Sequence, residues 1–281
     1  MKKLTIIGAG SMSEALLSGI IESRLLTGQD IWVTNRSNQE KLQKLQKQYG
    51  VNYTYDLTEL FLDADVVILA MKPKDAASAL QLISPYLNDN MLIISVMAGI
   101  SINSMKMLTN PNLAFVRAMP NTSAAVGKSA TAFAVNGNVT EQQKQMAQIM
   151  FETVGLATLV KEEQLDAVTG LSGSGPAYIY YLIEAMEKSA VEIGLDQGVA
   201  QQLIVQTLQG AAEMVSKSTK QPRQLRLEVT SPGGTTEAGI GILESHNVQE
   251  AFIACIKEAA AQSKRMGKKL SEEIETTQQS H

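Results

Sequence analysis

A glycine-rich segment near the start of the chain has the spacing of a dinucleotide-binding turn. Gly8-Ala-Gly10-Ser-Met-Ser13 directly follows the apolar run Lys2–Ile7 and opens a helical pattern. Gly8 permits a tight turn, Gly10 lets the backbone approach a pyrophosphate, and the helix N-terminus supplies amide donors. Ser13 stands where Gly or Ala is usual. The segment predicts dinucleotide binding; the alternative is a glycine-rich turn without a ligand.

The second apolar run, Ile31–Thr34, ends in Asn35, Arg36 and Ser37. A site for NAD usually has Asp or Glu here, which accepts a hydrogen bond from the ribose 2′-hydroxyl. An amide, a guanidinium and a hydroxyl instead suit a 2′-phosphate. The segment therefore favours NADP(H). The alternative is that Arg36 is a solvated charge and that Ser37 or Asn38 only caps the next helix.

Three further loops follow predicted strands in the same half of the chain. They are Ala70-Met71-Lys72-Pro73, Met97-Ala98-Gly99 and Met119-Pro120-Asn121. In an open parallel sheet, ligands bind beyond the carboxyl ends of the strands. Lys72 can reach a phosphate there, and the Pro-fixed backbone after Met119 offers carbonyl and amide groups near a nicotinamide. We expect these loops to line the cofactor site, although each could equally be a tightly packed turn.

A second small-residue segment, in the other half of the chain, suits a small carboxylate. Ser231-Pro-Gly-Gly-Thr-Thr236 precedes an apolar helix from Ala238, so several amides and hydroxyls converge on one helix N-terminus. An ordinary capped helix needs only one Ser or Thr and no pair of glycines. We therefore predict a ligand site here. The loop at 170–175 is also rich in small residues, but close helix packing accounts for it equally well.

Strand-like and helical patterns alternate over the first half of the chain. The apolar runs Ala64–Ala70 and Met91–Met97 are typical of strands buried on both faces of a parallel sheet. From about residue 161 the spacing becomes helical, with apolar faces too broad for one small bundle to bury. We predict an α/β chain: a Rossmann-type, doubly wound sheet domain at 1–160, an all-α dimerisation domain at 161–270 and a disordered polar tail at 271–281.

The composition excludes several classes of function. Among 281 residues, 24 are basic and 28 acidic, and the net charge of −4 argues against general binding of nucleic acid or anionic lipid. One cysteine and two histidines leave no disulfide and no ordinary zinc site, so we predict no bound metal. Cys255, on an apolar helix face, is expected to be a core residue. Without a bilayer-length apolar run or a signal-peptide pattern, we expect a cytoplasmic protein.

Five segments occur together in the order found in one family. They are GAGSMS at 8–13, AMKP at 70–73, RAMPNT at 117–122, GLSGSGPAY at 170–178 and TSPGGTTEAGI at 230–240. With these segments the chain resembles pyrroline-5-carboxylate reductase, the last enzyme of proline biosynthesis, over nearly its whole length. The SPGGTT segment is the most family-specific of the five. Ser13 and Ser123, where the family usually has Ala or Gly and Pro respectively, are departures that remove no reacting group.

The resemblance implies reduction of L-1-pyrroline-5-carboxylate to L-proline, with NADPH preferred and NADH usable as hydride donor. It implies a homodimer through interleaved helical domains; in the family such dimers often assemble into decamers of five dimers. The cofactor positions that it implies are Gly8, Gly10, Ser11, Met12, Asn35, Ala70, Lys72, Pro73, Met97 and Ala98. The substrate positions that it implies are Ser231, Gly233, Gly234, Thr235, Thr236 and, as a weaker candidate, Glu162.

Reduction of a cyclic imine needs a hydride donor, a fixed carboxylate and a proton for the ring nitrogen. We expect the amides of Gly234, Thr235 and Thr236 to hold the carboxylate. The Thr236 hydroxyl, as the predicted catalytic group, would hydrogen-bond the ring nitrogen and relay the proton.

Two other functions remain open on the sequence. One is an NADP-dependent dehydrogenase of the β-hydroxyacid type, which usually needs a catalytic lysine in a Gly- or Asn-rich motif that this helical half lacks. The other is a non-catalytic NADP-binding redox sensor, which would not need an intact SPGGTT segment.

Overall fold

A computed structural model describes residues 1–279, apart from the side chains of residue 270 and of residues 275–279. Contacts divide the chain into two units. The first contains residues 1–176 together with the described part of the chain from Lys257, and the second contains residues 177–256.

The first unit is built around one eight-stranded sheet with the strand order β3-β2-β1-β4-β5-β6-β7-β8. Its strands are β1 (Leu4–Ile7), β2 (Ile31–Thr34), β3 (Asn52–Tyr53), β4 (Val66–Leu69), β5 (Leu92–Ser95), β6 (Ala114–Met119), β7 (Ser129–Val135) and β8 (Gly155–Leu159). Neighbouring strands are parallel except for the antiparallel pair β6 and β7. The strand order reverses between β1 and β4, which is where ligands bind in such sheets.

Twelve α-helices are described. They are α1 (Ser11–Glu22), α2 (Gln39–Tyr49), α3 (Leu57–Phe61), α4 (Ala76–Ile83), α5 (Ile102–Leu108), α6 (Glu141–Glu152), α7 (Leu165–Val168), α8 (Gly175–Glu192), α9 (Gln197–Lys217), α10 (Pro222–Glu228), α11 (Thr235–Ser245) and α12 (Val248–Gln279). Local sequence explains several helix ends. Asn38 caps α2 and Gly50 ends it in the left-handed conformation, while Thr140 and Gln143 form a capping box at α6.

The core lies on both faces of the sheet. Val66 and Ile68 of β4 belong to one hydrophobic cluster, whereas Val67 and Leu69 belong to another. Because successive strand residues point to opposite faces, a strand covered on both sides is apolar throughout. The predicted α/β fold class, with a Rossmann-type doubly wound sheet followed by a helical region, is confirmed.

Two features of the sheet were not predicted. The short edge strand β3 and the antiparallel direction of β7 had no clear signal in the sequence. Residues 161–176 and the later part of α12 belong to the first unit by contacts, so the domain boundary expected at residue 160 stays a prediction.

The polar tail expected from residue 271 is helical through Gln279. Two contacts explain the continuation: Ile274 is buried in the core cluster that includes Met105, and the hydroxyl oxygens of Ser271 and Ser104 lie 3.0 Å apart. Residues 280 and 281 of the expected tail lie outside the described residues.

The second unit buries little of its apolar surface within one chain. Its core cluster has three buried members, Ala190, Ala200 and Ile204, whereas Tyr181 and Ile193 are 73% and 76% exposed. Cys255 is also exposed, contrary to the expectation of a core residue, because none of the described residues covers its helix face. A single chain thus leaves uncovered the broad apolar helix faces for which the sequence predicts a second copy.

In the part of the chain that the structure describes, no helix combines the length and the apolar character needed to span a bilayer. The longest helix, α12, carries charged side chains along its length.

Phe133 provides a test of the buried sheet. Its side chain on β7 is fully buried, and its ring centroid lies 6.1 Å from that of Phe151 on α6. Phe133→Ala should lower the free energy of unfolding by about 3–5 kcal/mol, because it removes buried apolar area and leaves a cavity. Chemical denaturation at fixed protein concentration measures the change. The control Leu62→Ala, at a side chain that is 63% exposed, should change it by less than about 0.5 kcal/mol; equal effects would contradict this packing.

Candidate active site

The turn between β1 and α1 has the conformation that a dinucleotide-binding turn requires. Gly8 has φ +112°, and a Cβ there would lie 2.4 Å from the carbonyl oxygen of Ala70, so only glycine fits. Gly10 is the extended N-cap of α1, and a Cβ on it would meet no atom within 4 Å. The first amides of this 12-residue helix have no intrahelical acceptor and can bind an anion.

Ser13 leaves a buried polar atom in the first turn of α1. The residue is 1% exposed, and its hydroxyl has no hydrogen-bond partner among the described residues. A buried hydroxyl without a partner costs about 1–3 kcal/mol, so a bound group or an ordered water should satisfy it. The glycine turn, the uncapped helix N-terminus and this hydroxyl together fit a dinucleotide.

A cavity of about 590 Å³ lies next to this turn. Its lining includes Gly8 and Thr34, the segment Asn35-Arg36, and Met71 and Asp75 after β4. The side chain of Arg36 is 89% exposed. The cavity therefore joins the glycine turn to the residues after β2 that the sequence assigns to the adenosine end of the cofactor.

Asn35 is less available to a ligand than the sequence suggests. Its Oδ1 accepts hydrogen bonds from the Asn38 amide at 2.8 Å and from the Tyr55 hydroxyl at 3.1 Å. Its Nδ2 donates to the Asn38 carbonyl at 2.6 Å. The Asn35 side chain thus holds the turn into α2. Arg36 and Ser37 are the side chains of this segment that are exposed.

The loops after β4 and β5 lie at the same edge of the sheet, because these strands are parallel to β1. Lys72 is exposed and Pro73 begins a short 3₁₀ turn. Met97 is 2% exposed and its side chain belongs to the core, whereas Ala98 is half-buried. Met97 can therefore reach a cofactor at this edge only through its backbone.

The Met119-Pro120-Asn121 segment holds another loop in place. Asn121 is 8% exposed; its Nδ2 donates to the Ser172 carbonyl at 3.0 Å and its Oδ1 accepts from the Ser123 amide at 3.2 Å. A Cβ at Gly173 would lie 2.8 Å from the terminal methyl of Met119. These side chains pack against the small-residue loop at 170–175, which explains that loop's composition.

A buried ion-pair network, which the sequence pattern did not predict, lies at the end of β6. Arg117 is 7% exposed, with NH1 3.2 Å from Glu162 Oε1 and NH2 3.6 Å from Asp166 Oδ1. Asp166 Oδ1 also accepts a hydrogen bond from the Ser263 hydroxyl at 2.7 Å. The available signal was an arginine inside an otherwise apolar strand, since a buried charge needs a partner.

Glu162 is committed to this network through one oxygen. Its Oε1 accepts from the Ile102 amide at 2.7 Å, at the N-terminus of α5, as well as from Arg117. A substrate contact of Glu162, which the resemblance implies, can therefore involve only the second oxygen, Oε2.

The Gly-Gly-Thr-Thr segment lies in the second unit at the N-terminus of α11. Gly233 has φ +73°, and its amide donates to Glu237 Oε2 at 2.7 Å. Gly234 is the N-cap, and its amide donates to the Ser231 carbonyl at 3.0 Å. The turn itself uses the Gly234 amide in this conformation, so the expectation that this amide holds a carboxylate stays a prediction that requires the turn to rearrange. Thr235 and Thr236 are the first two residues of the 11-residue helix, whose first amides have no intrahelical acceptor.

An ion pair precedes this segment. Lys220 Nζ lies 2.8 and 2.9 Å from the two carboxylate oxygens of Glu228, and Gln224 donates to the same carboxylate at 3.3 Å. These hydrogen bonds lower the pKa of Glu228. Glu228 is therefore ionised near neutral pH and is not a store of protons.

The chain is similar to known proteins over almost all of its length. Residues 162–266 match a family model described as pyrroline-5-carboxylate reductase dimerisation, and residues 3–99 match one described as NADP oxidoreductase, coenzyme F420-dependent. The chain is 49% identical over 263 residues to pyrroline-5-carboxylate reductase 2 of Bacillus subtilis, covering 94% of each chain. It is 43% identical over 276 residues to pyrroline-5-carboxylate reductase 1 of the same species, covering 98% of this chain and 92% of the relative.

Solved structures agree with these relatives. The pyrroline carboxylate reductase of Plasmodium falciparum with NADP bound has a TM-score of 0.86 and 31% identity, covering 94% of this chain and 98% of that one. The pyrroline-5-carboxylate reductase of Coxiella burnetii has a TM-score of 0.86 and 37% identity, with the same coverage.

Replacing Gly8 should lower the stability of the protein, whereas replacing Gly10 should weaken cofactor binding. Gly8→Ala forces a methyl against the Ala70 carbonyl and should lower the free energy of unfolding by about 1–3 kcal/mol. Gly10→Ala meets open space, so the melting temperature should stay within about 2 °C. It should nevertheless weaken NADPH binding at least about tenfold, because the methyl blocks the approach of the pyrophosphate. Thermal unfolding and calorimetric titration measure both; NADPH binding by Gly10→Ala at wild-type strength would contradict this placement.

Proposed function

The chain belongs to the pyrroline-5-carboxylate reductase family, and we propose that it reduces L-1-pyrroline-5-carboxylate to L-proline with NADPH as the preferred hydride donor. It is an NAD(P)H-dependent oxidoreductase of proline biosynthesis. The observation that carries the assignment is the 49% identity to a reductase of this family over 94% of the chain. The glycine turn at Gly8 and the Gly-Gly-Thr-Thr helix N-terminus are both intact and support it.

The proposed cofactor site uses the loops at the carboxyl edge of the sheet. NADPH, when bound, supplies a hydride from its nicotinamide ring. For the pyrophosphate we propose Gly8, Gly10, Ser11, Met12 and Ser13, and for the adenosine end Asn35, Arg36 and Ser37. For the riboses and nicotinamide we propose Ala70, Met71, Lys72, Pro73, Met97, Ala98, Met119, Pro120 and Asn121.

The preference for NADPH rests on the charge after β2. The segment has no carboxylate to accept from a ribose 2′-hydroxyl, and Arg36 is exposed at the cavity. A guanidinium binds a phosphate through charge-assisted hydrogen bonds. NADH remains usable, because the pyrophosphate and nicotinamide contacts do not depend on the 2′ position.

The proposed substrate site is Ser231, Gly233, Gly234, Thr235 and Thr236, with Glu162 as a weaker member through Oε2. The amides of Thr235 and Thr236 bind the substrate carboxylate at the positive end of the α11 dipole. The glycine turn is held by two hydrogen bonds: Glu237 accepts from the Gly233 amide, and the Ser231 carbonyl accepts from the Gly234 amide. The two glycines thus give the helix N-terminus its shape, and the two threonines supply the free donors.

Thr236 is the proposed catalytic residue. Its hydroxyl donates a hydrogen bond to the ring nitrogen and passes on a proton. Threonine is far too weak an acid to be the source of that proton, which water supplies when the imine is neutral. A protonated imine already carries the proton, and the hydroxyl then accepts a hydrogen bond from its N–H. The role of Thr236 is therefore that of a donor and positioning group.

The proposal also covers the oligomeric state of the protein and its location in the cell. The dimerisation match at residues 162–266 indicates a homo-oligomer. We propose a homodimer through the helices of the second unit, whose exposed apolar side chains support it, and five such dimers in a decamer. We also propose a cytoplasmic location, in keeping with a chain whose single cysteine, Cys255, can form no disulfide within the chain.

The reaction can be tested against the two other functions. The purified protein should oxidise NADPH when pyrroline-5-carboxylate is added, and it should not reduce NADP⁺ when a set of 3-hydroxyacids is added. Turnover with a 3-hydroxyacid alone would indicate a β-hydroxyacid-type dehydrogenase. Cofactor binding without turnover of either substrate would indicate a redox sensor.

Thr236→Ala should lower kcat about ten- to a hundredfold while the Kd for NADPH changes less than about twofold, because the lost hydroxyl contacts only the substrate. Thr236→Ser, which keeps the hydroxyl, should recover most of the turnover. The control Thr207→Ala removes a helical threonine whose hydroxyl bonds the Leu203 carbonyl at 2.7 Å, and it should leave kcat unchanged. Wild-type turnover in Thr236→Ala would show that this hydroxyl has no such role.

A further inference from the structure

The cavity beside the glycine turn contains a carboxylate that faces Arg36. Asp75 ends the 3₁₀ turn Pro73–Asp75 after β4, whereas Arg36 follows β2, so the two residues come from the strands on either side of β1. Asp75 Oδ1 lies 3.7 Å from Arg36 NH1. Among the described residues that line the cavity, Arg36 is the only cation and Asp75 the only anion.

The pair is open to solvent and can separate. The side chains of Arg36 and Asp75 are 89% and 36% exposed, and ion pairs with such exposure are weak. Arg36 can therefore turn toward an incoming phosphate. Doing so leaves the Asp75 carboxylate unpaired at the same cavity, close to the place where that phosphate binds.

Among the described residues that line this cavity, Asp75 is also the only one with a carboxylate to offer to a ribose hydroxyl. The usual acceptor after β2 is replaced by Asn35, and the oxygen of Asn35 already accepts from the Asn38 amide and the Tyr55 hydroxyl. The electrostatic environment of the 2′ position therefore affects the two cofactors differently. A 2′-phosphate is attracted by Arg36 and repelled by Asp75, whereas a 2′-hydroxyl can donate to Asp75.

We propose that Asp75 is a specificity-determining residue that lowers the preference for NADPH over NADH. It competes with the 2′-phosphate for Arg36, repels that phosphate, and accepts from the ribose of NADH. The proposal rests on binding of NADP(H) in this cavity, as in the proposed function. Arg36 and Asp75 together then set the ratio of the two affinities, in opposite directions.

Asp75→Asn tests the proposal, because it removes the charge and keeps the size. Calorimetric titration should show NADPH and adenosine 2′,5′-bisphosphate binding about three- to tenfold tighter than to the unmodified protein. NADH and 5′-AMP should bind equally or more weakly. The gain should shrink at high salt, because exposed charges are screened. The control Asp89→Asn, at an exposed aspartate in the loop before β5, should leave the ratio of affinities unchanged.

Arg36→Ala separates failure of this proposal from failure of the cofactor site. It should weaken NADPH and adenosine 2′,5′-bisphosphate selectively, and in Arg36→Ala/Asp75→Asn the gain from Asp75→Asn should be smaller. If Arg36→Ala is selective but Asp75→Asn leaves the ratio of NADPH to NADH affinity unchanged, the cavity binds the 2′-phosphate and the role of Asp75 is wrong. If Arg36→Ala weakens the binding of both cofactors equally, or if neither cofactor binds, the adenosine end of the cofactor does not lie in this cavity. The proposal for Asp75 is then wrong as well.

Discussion

The close approach of the Gly8 backbone to the Ala70 carbonyl is the contact on which the cofactor site depends. No side chain fits between them, since a Cβ at Gly8 would lie 2.4 Å from that oxygen. This contact lets the chain turn directly from β1 into α1 beside the end of β4. It thereby places the N-terminus of α1, which has no side-chain cap, at the edge of the sheet beside the cavity that Gly8 lines.

A buried charge imposes the second constraint. Arg117 lies on β6 near the carboxyl edge of the sheet and needs both Glu162 and Asp166 to offset its desolvation. Through these partners it fixes the start of α5, the short helix α7 and, by way of Ser263, helix α12. Glu162, whose carboxylate could bind a ligand, therefore also uses one of its oxygens to hold the loops of the site in place.

Both proposed anion sites use a helix N-terminus, but they are built differently. At α1 the N-cap Gly10 leaves open space, which suits a bulky pyrophosphate. At α11 the amides of the two glycines donate to Glu237 and to the Ser231 carbonyl, so the donors left for a ligand are the amides of the first helical turn, from Thr235 onward. A helix N-terminus of this kind suits the single carboxylate of a small substrate.

The sequence by itself determined the features that depend on local chemistry. The buried parallel strands, the glycine turn and the capping box at Thr140 follow from periodicity and from residues close together in the chain. Only the tertiary structure decided which polar groups meet. Residues far apart in sequence determine the partners of Arg117, the pairing of Asp75 with Arg36, the direction of β7 and the continuation of the helix through Gln279. Competition between neighbouring donors and acceptors determines which hydrogen bonds the Asn35 side chain makes. A linear pattern shows that a polar group needs a partner, but packing determines which one it finds.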